Sequence, residues 1–339
     1  LKNHLKKRTL DFDKIRTTAE IGMRMLDNVV DINFYPTKES ENANVRHRPV
    51  GLGSMGWHDV FYALDIDYSS DEAVEWSDKI YENISYGAIL ASSKLAKERG
   101  KYSTYEGSLW DQGILPIDTY KNLFKSRGSR VKPTTSLDWD IVRKHISEYG
   151  MRNSNTMAIA PTATISYICG CSQSIEPNFG VIFVYSTLSG EFTQINEYFV
   201  EDIKKAGLWS QYFVDAIKSV DGDLSKLENT IPDNIKEKYK TAFQQDQLKL
   251  IDCAAVRQKW IDQGQSLNLY NNKSLKFLND MYMHAWKSGL KTTYYLRSTS
   301  ASTVEKSTVS TNKKEYTEEE VAACSIEAMR NGEECEACQ

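Results

Sequence analysis

Two cysteines close to the C-terminus of this 339-residue chain are separated by two residues, in the run Cys335-Glu336-Ala337-Cys338. Two thiols at this spacing can close a disulfide or bind a metal ion. The surrounding sequence has no core pattern of apolar residues, so packing does not explain the pair. We interpret it as a redox dithiol carried on a mobile tail. The alternatives are a zinc site, for which Cys324 offers a third ligand, and an incidental pair of thiols.

A second feature with chemical potential is the pair of adjacent tyrosines Tyr294 and Tyr295. In a regular strand, adjacent side chains point to opposite faces, which predicts one core tyrosine and one rim tyrosine. The functional alternative is redox chemistry, because a phenol gives up an electron readily only when its proton has an acceptor. Two neighbouring phenols can therefore relay a radical, provided that a local bend brings the two rings together.

A hydroxyl-rich segment, Pro161-Thr162-Ala163-Thr164-Ile165-Ser166, follows the apolar run Thr156–Ala160. Free backbone N–H groups at the start of a helical turn, together with hydroxyl donors, suit an anion. A substrate phosphate is the natural occupant of such a segment. The alternative is a Ser/Thr helix cap that binds no ligand.

The run Gly51-Leu52-Gly53-Ser54-Met55-Gly56 matches the GxGxxG dinucleotide-binding pattern. Its context is poor, because almost no strand precedes it and no acidic residue ends a second strand about 20 residues later. We favour the interpretation that small residues let this segment pack tightly against its neighbours. The three remaining cysteines, Cys169, Cys171 and Cys253, are interpreted as core or space-filling residues.

Composition indicates an ordinary soluble globular protein, with 40% hydrophobic and 26% charged residues. A net charge of -4 argues against a general nucleic-acid binder. We expect no membrane association, because no apolar run is long enough to span a bilayer and the first residues do not form a signal peptide. Six cysteines in a chain of this length favour a cytoplasmic, reducing compartment.

Helical spacing and capping residues predict six helices, and short apolar runs between them predict strands. Helices are expected over Asp13–Val30, Ser69–Gly100, Asp138–Tyr149, Asn196–Ala206, Asp233–Asp262 and Ser274–Ser288, and strands over Pro49–Gly53, Thr156–Ala160, Val181–Tyr185 and Thr292–Leu296. This alternation predicts an α/β architecture. We divide the chain into one domain over residues 1–297 and a flexible, Ser-, Thr-, Lys- and Glu-rich tail over residues 298–339.

A series of short stretches resembles the large (α) subunit of class I ribonucleotide reductase, in its C-terminal half. In chain order they are Asp31–Pro36, Arg46–Gly53, Gly113–Pro116, Arg152–Ser154, Pro161–Ser166, Ser174–Pro177, Leu188–Phe192, Gln265–Asn268 and Gly289–Arg297. They cover nearly all of residues 13–297 in the family's order, and the tail cysteine pair follows them.

This resemblance implies a fold and a reaction. The family's fold is a ten-stranded α/β barrel made of two half-barrels, and this chain looks like most of the second half-barrel plus the flexible tail. The family's reaction replaces the ribose 2′-OH of a ribonucleotide by hydrogen through a thiyl radical. A ribonucleoside-diphosphate reductase of this kind supplies deoxyribonucleoside diphosphates for DNA synthesis.

The resemblance also implies roles for the chemically active residues. Pro161–Ser166 would hold the substrate's phosphates. Tyr294 and Tyr295 would receive the radical from a metal-containing small subunit, so neither a cofactor nor a metal is expected on this chain. Cys335 and Cys338 would reduce the active-site disulfide after each turnover, and thioredoxin or glutaredoxin would reduce them in turn.

The departures from the family pattern are equally informative. The thiyl cysteine, the two cysteines oxidised in turnover and the allosteric regions belong to the other half of the family's subunit. We therefore expect a fragment or one piece of a split subunit, with an incomplete active site that needs the N-terminal half. Ile165 stands where part of the family has a hydroxyl residue, so one phosphate contact would be made by the backbone alone.

Two other interpretations stay open. One is a fragment of a cobalamin-dependent ribonucleotide reductase, which shares the barrel but does not need a tyrosine relay. The other is a non-catalytic remnant retained for assembly. The tyrosine pair favours class I, because the cobalamin-dependent class also has a tail cysteine pair. The presence of both the tyrosine pair and the tail cysteine pair argues against a remnant.

Overall fold

The computed structural model describes residues 1–128, 131–187, 190–220, 222–227, 230–271 and 274–298. Within these ranges the helices are α1 Phe12–Ile32, α2 Lys38–His47, α3 Trp57–Leu64, α4 Asp71–Arg99, α5 Pro116–Arg127, α6 Trp139–Tyr149, α7 Ala163–Ile168, α8 Glu197–Lys205, α9 Gln211–Ser219, α10 Asp233–Lys238, α11 Gln247–Gln258 and α12 Leu275–Lys287. The strands are β1 Leu5–Lys6, β2 Thr9–Leu10, β3 Ile182–Thr187, β4 Gly190–Ile195, β5 Leu269–Asn271 and β6 Leu296–Ser298. Among the described helices, none combines the length and the apolar character that crossing a membrane would require.

Four extended segments run parallel to one another in chain order. Leu52 pairs with Met157, and Ile159 pairs with Gln265, each in parallel orientation. Strand β5 then pairs in parallel with β6. Helices connect the successive segments, so the arrangement is that of consecutive βα units and confirms the α/β prediction. The predicted strands Pro49–Gly53 and Thr156–Ala160 make single bridges here and no regular ladder.

The largest core cluster surrounds α4, which packs against α1, α6 and α11. Helix α4 approaches α1 closely at Gly87, where an added Cβ would lie 2.7 Å from the carbonyl oxygen of Arg16. A second apolar cluster joins Val181 and Ile182 to α8, α9 and α10, with the fully buried Phe199 among its members. Strands β3 and β4 form an antiparallel hairpin, and Ile182 of this cluster is the first residue of β3.

A buried ionic cluster ties α1 to the segments that follow it. The carboxylate of Asp27, which is fully buried, accepts hydrogen bonds from Arg48 Nε at 2.8 Å and from Arg99 Nη1 at 3.0 Å. Asn153 Nδ2 donates to the same carboxylate at 3.3 Å. Breaking a buried pair by removing one partner is costly, because the other charge stays in the core without compensation. This cluster therefore fixes where α1, α4 and the second parallel segment meet.

Most predicted helices are confirmed to within two residues at each end, but the single helix predicted over Asp233–Asp262 is wrong. The chain leaves the helix after Lys238, and the intervening loop is bonded elsewhere, with Ala242 N–H donating to the carbonyl of Asn178 at 3.0 Å. The Asp246 carboxylate then caps α11 by accepting from Leu248 N–H at 2.9 Å.

The start of α4 is also displaced by one residue from its predicted position. Ser70 caps the helix by accepting from Ala73 N–H at 3.1 Å. Ser69 donates instead to Gln245 Oε1 at 2.6 Å. The Glu72 carboxylate, in the first turn of the helix, accepts from Trp76 Nε1 at 3.3 Å.

The glycine-rich segment before α3 packs tightly, as the sequence interpretation favoured. An added Cβ at Gly53 would lie 2.6 Å from the backbone oxygen of Ala158 in the neighbouring parallel segment. Gly51 faces the Ala158 side chain at 3.1 Å in the same way. The small residues thus allow the first two parallel segments to approach each other.

We predict that Gly53→Ala destabilises the fold by about 1–3 kcal/mol, because the new methyl group meets backbone that cannot rotate away. Gly22→Ala is the matched control, since Gly22 lies inside α1 and its new methyl group would face only the flexible end of Leu52, at 3.0 Å. Alanine in a helix interior is favoured over glycine by about 1 kcal/mol, so the control should be neutral or stabilising. Urea unfolding of both variants measures the difference. Equal effects would contradict the tight packing inferred at Gly53.

Candidate functional site

The hydroxyl-rich segment lies where the second parallel segment ends and α7 begins at Ala163. Thr162, just before the helix, has a left-handed backbone with a φ of 53°. Its Oγ1 accepts a hydrogen bond from Ser174 N–H at 2.8 Å, which leaves the hydroxyl proton available to a ligand. The first N–H groups of a helix have no partner inside the helix. This geometry suits an oxyanion at the exposed start of α7.

The other members of the segment divide between surface and core. Pro161, Ala163, Thr164 and Ile165 are exposed. Ser166 is fully buried, and its hydroxyl donates inward to the carbonyl of Ala163 at 3.2 Å. Of the threonines, Thr164 is therefore exposed and Thr162 is half-buried.

The loop that follows α7 is held by two buried side chains of α3. The carboxylate of Asp59 accepts from Ser172 N–H at 2.7 Å, and His58 Nδ1 accepts from Asn178 N–H at 2.8 Å. Burial raises the pKa of Asp59 and lowers the pKa of His58 to about 3. His58 is therefore a neutral acceptor at physiological pH, and the loop is held to α3 by backbone N–H groups.

Tyr294 and Tyr295 lie in an irregular stretch just before β6, and not inside a strand. Their ring centroids are 4.0 Å apart, and the Tyr294 hydroxyl donates to the Tyr295 oxygen at 3.1 Å. This hydrogen bond raises the pKa of Tyr294. The backbone thus provides the local bend that the relay hypothesis requires. The two side chains are 45% and 49% exposed, so this is not the pair of one core and one rim residue that a regular strand would give.

A positive charge lies beside the pair. The guanidinium carbon of Arg297 is 4.6 Å from the centre of the Tyr295 ring, within the range of a cation–π interaction. The Nε atom of this arginine is buried and has no hydrogen-bond partner within the described residues.

A buried carboxylate, Glu176, occupies the other side of strand β5. It accepts from Asn268 N–H at 3.0 Å and from the Tyr270 hydroxyl at 3.1 Å. Burial raises the pKa of Glu176 to about 7, although both hydrogen bonds and the positive charges of Arg257 and Arg297 oppose this shift. Sequence reasoning assigned no role to Glu176. The only available signal was its place in the stretch Ser174–Pro177.

The structure describes three of the six cysteines, Cys169, Cys171 and Cys253. Cys253 is fully buried in the main core, which confirms its packing role, and burial raises its pKa to about 11. Cys169 is exposed and Cys171 half-buried, so neither is a core residue. Cys324, Cys335 and Cys338 lie outside the described residues. Of the tail predicted over residues 298–339, the structure describes only Ser298, which ends strand β6. Within the described ranges, no three His, Cys, Asp or Glu side chains converge as a metal site would require.

The chain matches a known protein family over most of its length. The family model described as "Ribonucleotide reductase, barrel domain" matches residues 1–296. The chain belongs to this family. The order of parallel segments agrees with the match, and together they confirm the prediction of a ribonucleotide reductase half-barrel.

Relatives of the ribonucleotide reductase family share extensive sequence with the chain. It is 54% identical to the ribonucleoside-diphosphate reductase subunit alpha of Chlamydia muridarum over 318 residues, which cover 93% of this chain and 30% of that protein. It is 40% identical to the large subunit of Acanthamoeba polyphaga mimivirus, over 87% of this chain and 33% of that protein. It is 38% identical to the large subunit of Caenorhabditis elegans, over 92% of this chain and 39% of that protein. The chain thus spans between about three and four tenths of the length of these relatives.

We predict that Glu176→Gln changes the pH dependence of stability. A carboxyl group whose pKa is raised from 4.5 to about 7 on folding keeps a proton that the unfolded chain releases, so the wild type loses stability as pH rises through this window. The glutamine variant lacks this loss, which amounts to at most about 3 kcal/mol. Its stability relative to the wild type should therefore increase from pH 4.5 to pH 7 and then stay constant.

Urea unfolding between pH 5 and pH 8 measures this relative stability. Glu75→Gln serves as the control, because Glu75 is an exposed residue of α4. A stability difference for Glu176→Gln that does not change with pH would show that this carboxyl group does not titrate in the stated window.

Proposed function

We propose that this chain supplies the phosphate-binding segment, the radical-transfer tyrosines and the tail dithiol of a ribonucleoside-diphosphate reductase. The reaction is the radical reduction of ribonucleoside diphosphates to deoxyribonucleoside diphosphates. The observation that carries the proposal is the contact between the Tyr294 and Tyr295 phenols, 3.1 Å apart. Family membership and the names of the relatives support the reaction class.

The two phenols can pass a radical between them without an external base. When one oxygen carries the unpaired electron, it takes the hydrogen atom of the other phenol, so that one O–H bond breaks as the other forms. Proton and electron travel together over one hydrogen-bond length, and no charge is left in the site. The half-exposed rings are accessible to a partner. The radical itself is supplied by the metal-containing small subunit.

The substrate's terminal phosphates are proposed to bind at Pro161–Ser166. The free N–H groups at the start of α7 and the hydroxyl groups of Thr162 and Thr164 are the donors. Ile165 adds only its backbone N–H, and the buried Ser166 braces the turn through Ala163. Ribose and base would extend from this segment toward the thiyl cysteine, which belongs to another part of the large subunit.

An exposed apolar stripe on α1 supports an interaction with the N-terminal half of the large subunit. Ile21, Met25, Val29 and Ile32 follow one another at helical spacing, and each is at least 48% exposed. Isolated apolar residues on a surface are common, but a continuous stripe along one helix marks a contact. Because the relatives are more than twice as long as this chain, we assign the stripe to the N-terminal half of the large subunit.

The tail dithiol completes the proposed cycle. The thiolate of Cys335 or Cys338 attacks the disulfide formed in the active site during turnover, and the disulfide moves to the tail. Thioredoxin or glutaredoxin then restores the two thiols. In the proposed cycle the mostly polar residues 299–334 would connect the dithiol to the rest of the chain.

We predict that Thr162→Ala raises KM for the ribonucleoside diphosphate in the assembled enzyme. A hydroxyl donor to a charged group contributes about 1.5–3 kcal/mol, which corresponds to a KM increase of about tenfold or more. Thr162→Ser is the control, because it keeps the hydroxyl group that accepts from Ser174 N–H. Steady-state kinetics decide the assignment, and a Thr162→Ala variant with unchanged KM would refute it.

We predict that the activity of the cysteine variants depends on the reductant, whereas the tyrosine variants are inactive with every reductant. Tyr294→Phe and Tyr295→Phe keep the rings but remove the exchangeable hydrogen, so turnover should cease with every reductant. Cys335→Ser and Cys338→Ser should fail with thioredoxin or glutaredoxin, yet recover with dithiothreitol, which enters the site by itself. The measurement is one turnover assay run with both types of reductant. Cysteine variants that stay inactive with dithiothreitol would indicate a structural or metal-binding role.

A further inference from the structure

The tyrosine pair is held in place by one short segment. Tyr294 N–H donates to the carbonyl of Leu267 at 2.8 Å, and Leu269 N–H donates to the carbonyl of Tyr295 at 2.9 Å. Tyr295 N–H donates to the side-chain oxygen of Asn268 at 3.3 Å. The backbone of the pair is therefore bonded to three consecutive residues, and their position determines where both rings lie.

That segment is itself held by Glu176. One carboxylate oxygen accepts from the backbone N–H of Asn268 and the other accepts from the Tyr270 hydroxyl, so the carboxylate contacts the segment at two points. Glu176 is 7% exposed and belongs to a different part of the chain. Tyr68 lies on the loop between α3 and α4. Its hydroxyl donates to the carbonyl of Ile175 and so anchors the residue that precedes Glu176.

We propose that Glu176 is a positioning residue for the tyrosine pair, acting through Asn268 to hold the two phenols in contact. The proposal rests on the proposed function only for its consequence in catalysis. A backbone segment with regular strand geometry would send the two rings to opposite faces. The bend at Tyr294 and Tyr295 depends on the acceptor that Asn268 presents, and the Asn268 backbone is fixed by Glu176.

The test uses the titration of the Tyr294 hydroxyl. The full chain is prepared with 3-fluorotyrosine at position 294, and its ionisation is followed by ¹⁹F NMR. The hydrogen bond to Tyr295 raises the pKa of this phenol, so separation of the rings lowers that pKa. Glu176→Ala removes both acceptor oxygens and should lower it. Glu176→Gln keeps one acceptor oxygen for Asn268 N–H and should preserve it.

Two further variants keep the result interpretable. Asn268→Ala removes the acceptor for Tyr295 N–H while Glu176 keeps its bonds, and it should lower the pKa even if Glu176→Ala fails to fold. Glu82→Ala is the matched control, since Glu82 is an equally buried carboxylate that accepts from the N–H groups of Ser136 and Leu137. It should leave the titration of position 294 unchanged.

An unchanged titration in a folded Glu176→Ala variant or in Asn268→Ala, or an equal change in Glu82→Ala, would overturn the proposal. In the assembled enzyme, Glu176→Ala should lower kcat by about a hundredfold and leave KM for the nucleotide unchanged, because misplacement by about 1 Å slows transfer without touching the phosphate segment. The titration needs no turnover. A Tyr294→Phe variant with full activity would therefore refute the relay alone, and the ¹⁹F titration would still decide the positioning.

Discussion

Buried and half-buried carboxylates that accept backbone N–H groups hold the parallel segments of this half-barrel together. Asp262 accepts from Thr156 N–H at 2.7 Å and from Met157 N–H at 2.8 Å, and so fixes the segment that leads into Pro161–Ser166. Burial raises the pKa of Asp262, yet each unpaired N–H in the core would itself be costly. Asp59 and Glu176 repeat the arrangement for the loop after α7 and for strand β5.

This arrangement explains why regular sheet is sparse although the parallel order is clear. Single bridges at Leu52 and Ile159 replace long ladders, and the remaining backbone donors are bound by side chains. A carboxylate can accept from two donors at an angle that a strand cannot offer. The backbone is thereby free to bend, and the bend at Tyr294 and Tyr295 uses that freedom.

The sequence predicted the parts of the molecule that depend on local pattern. Helices α1, α6 and α12 follow from apolar spacing and capping residues. The phosphate-binding role of Pro161–Ser166 stays a prediction. The approach of the two phenols could not be predicted, because it depends on Leu267 and Asn268, which lie 27 residues upstream of the pair. Glu176 escaped notice for the same reason, since its partners at Asn268 and Tyr270 are more than 90 residues away.

Contacts between distant segments also explain the errors. The break between α10 and α11 accompanies the bond between Ala242 and Asn178, and its local signal is the capping residue Asp246. The tail pair, Cys335 and Cys338, stays a prediction from sequence and from family resemblance. The chemistry proposed for the chain therefore joins two structurally described parts, the segment Pro161–Ser166 and the tyrosine pair, with a dithiol inferred from sequence.

Reconstitution tests the central claim most directly. Deoxyribonucleoside diphosphate formation is measured for the purified chain alone, and then after addition of a polypeptide carrying the N-terminal half of the large subunit together with the small subunit. The account predicts no product from the chain alone and sustained turnover from the complete mixture. Product from the chain alone, or a stable complex of all three components without product, would contradict it.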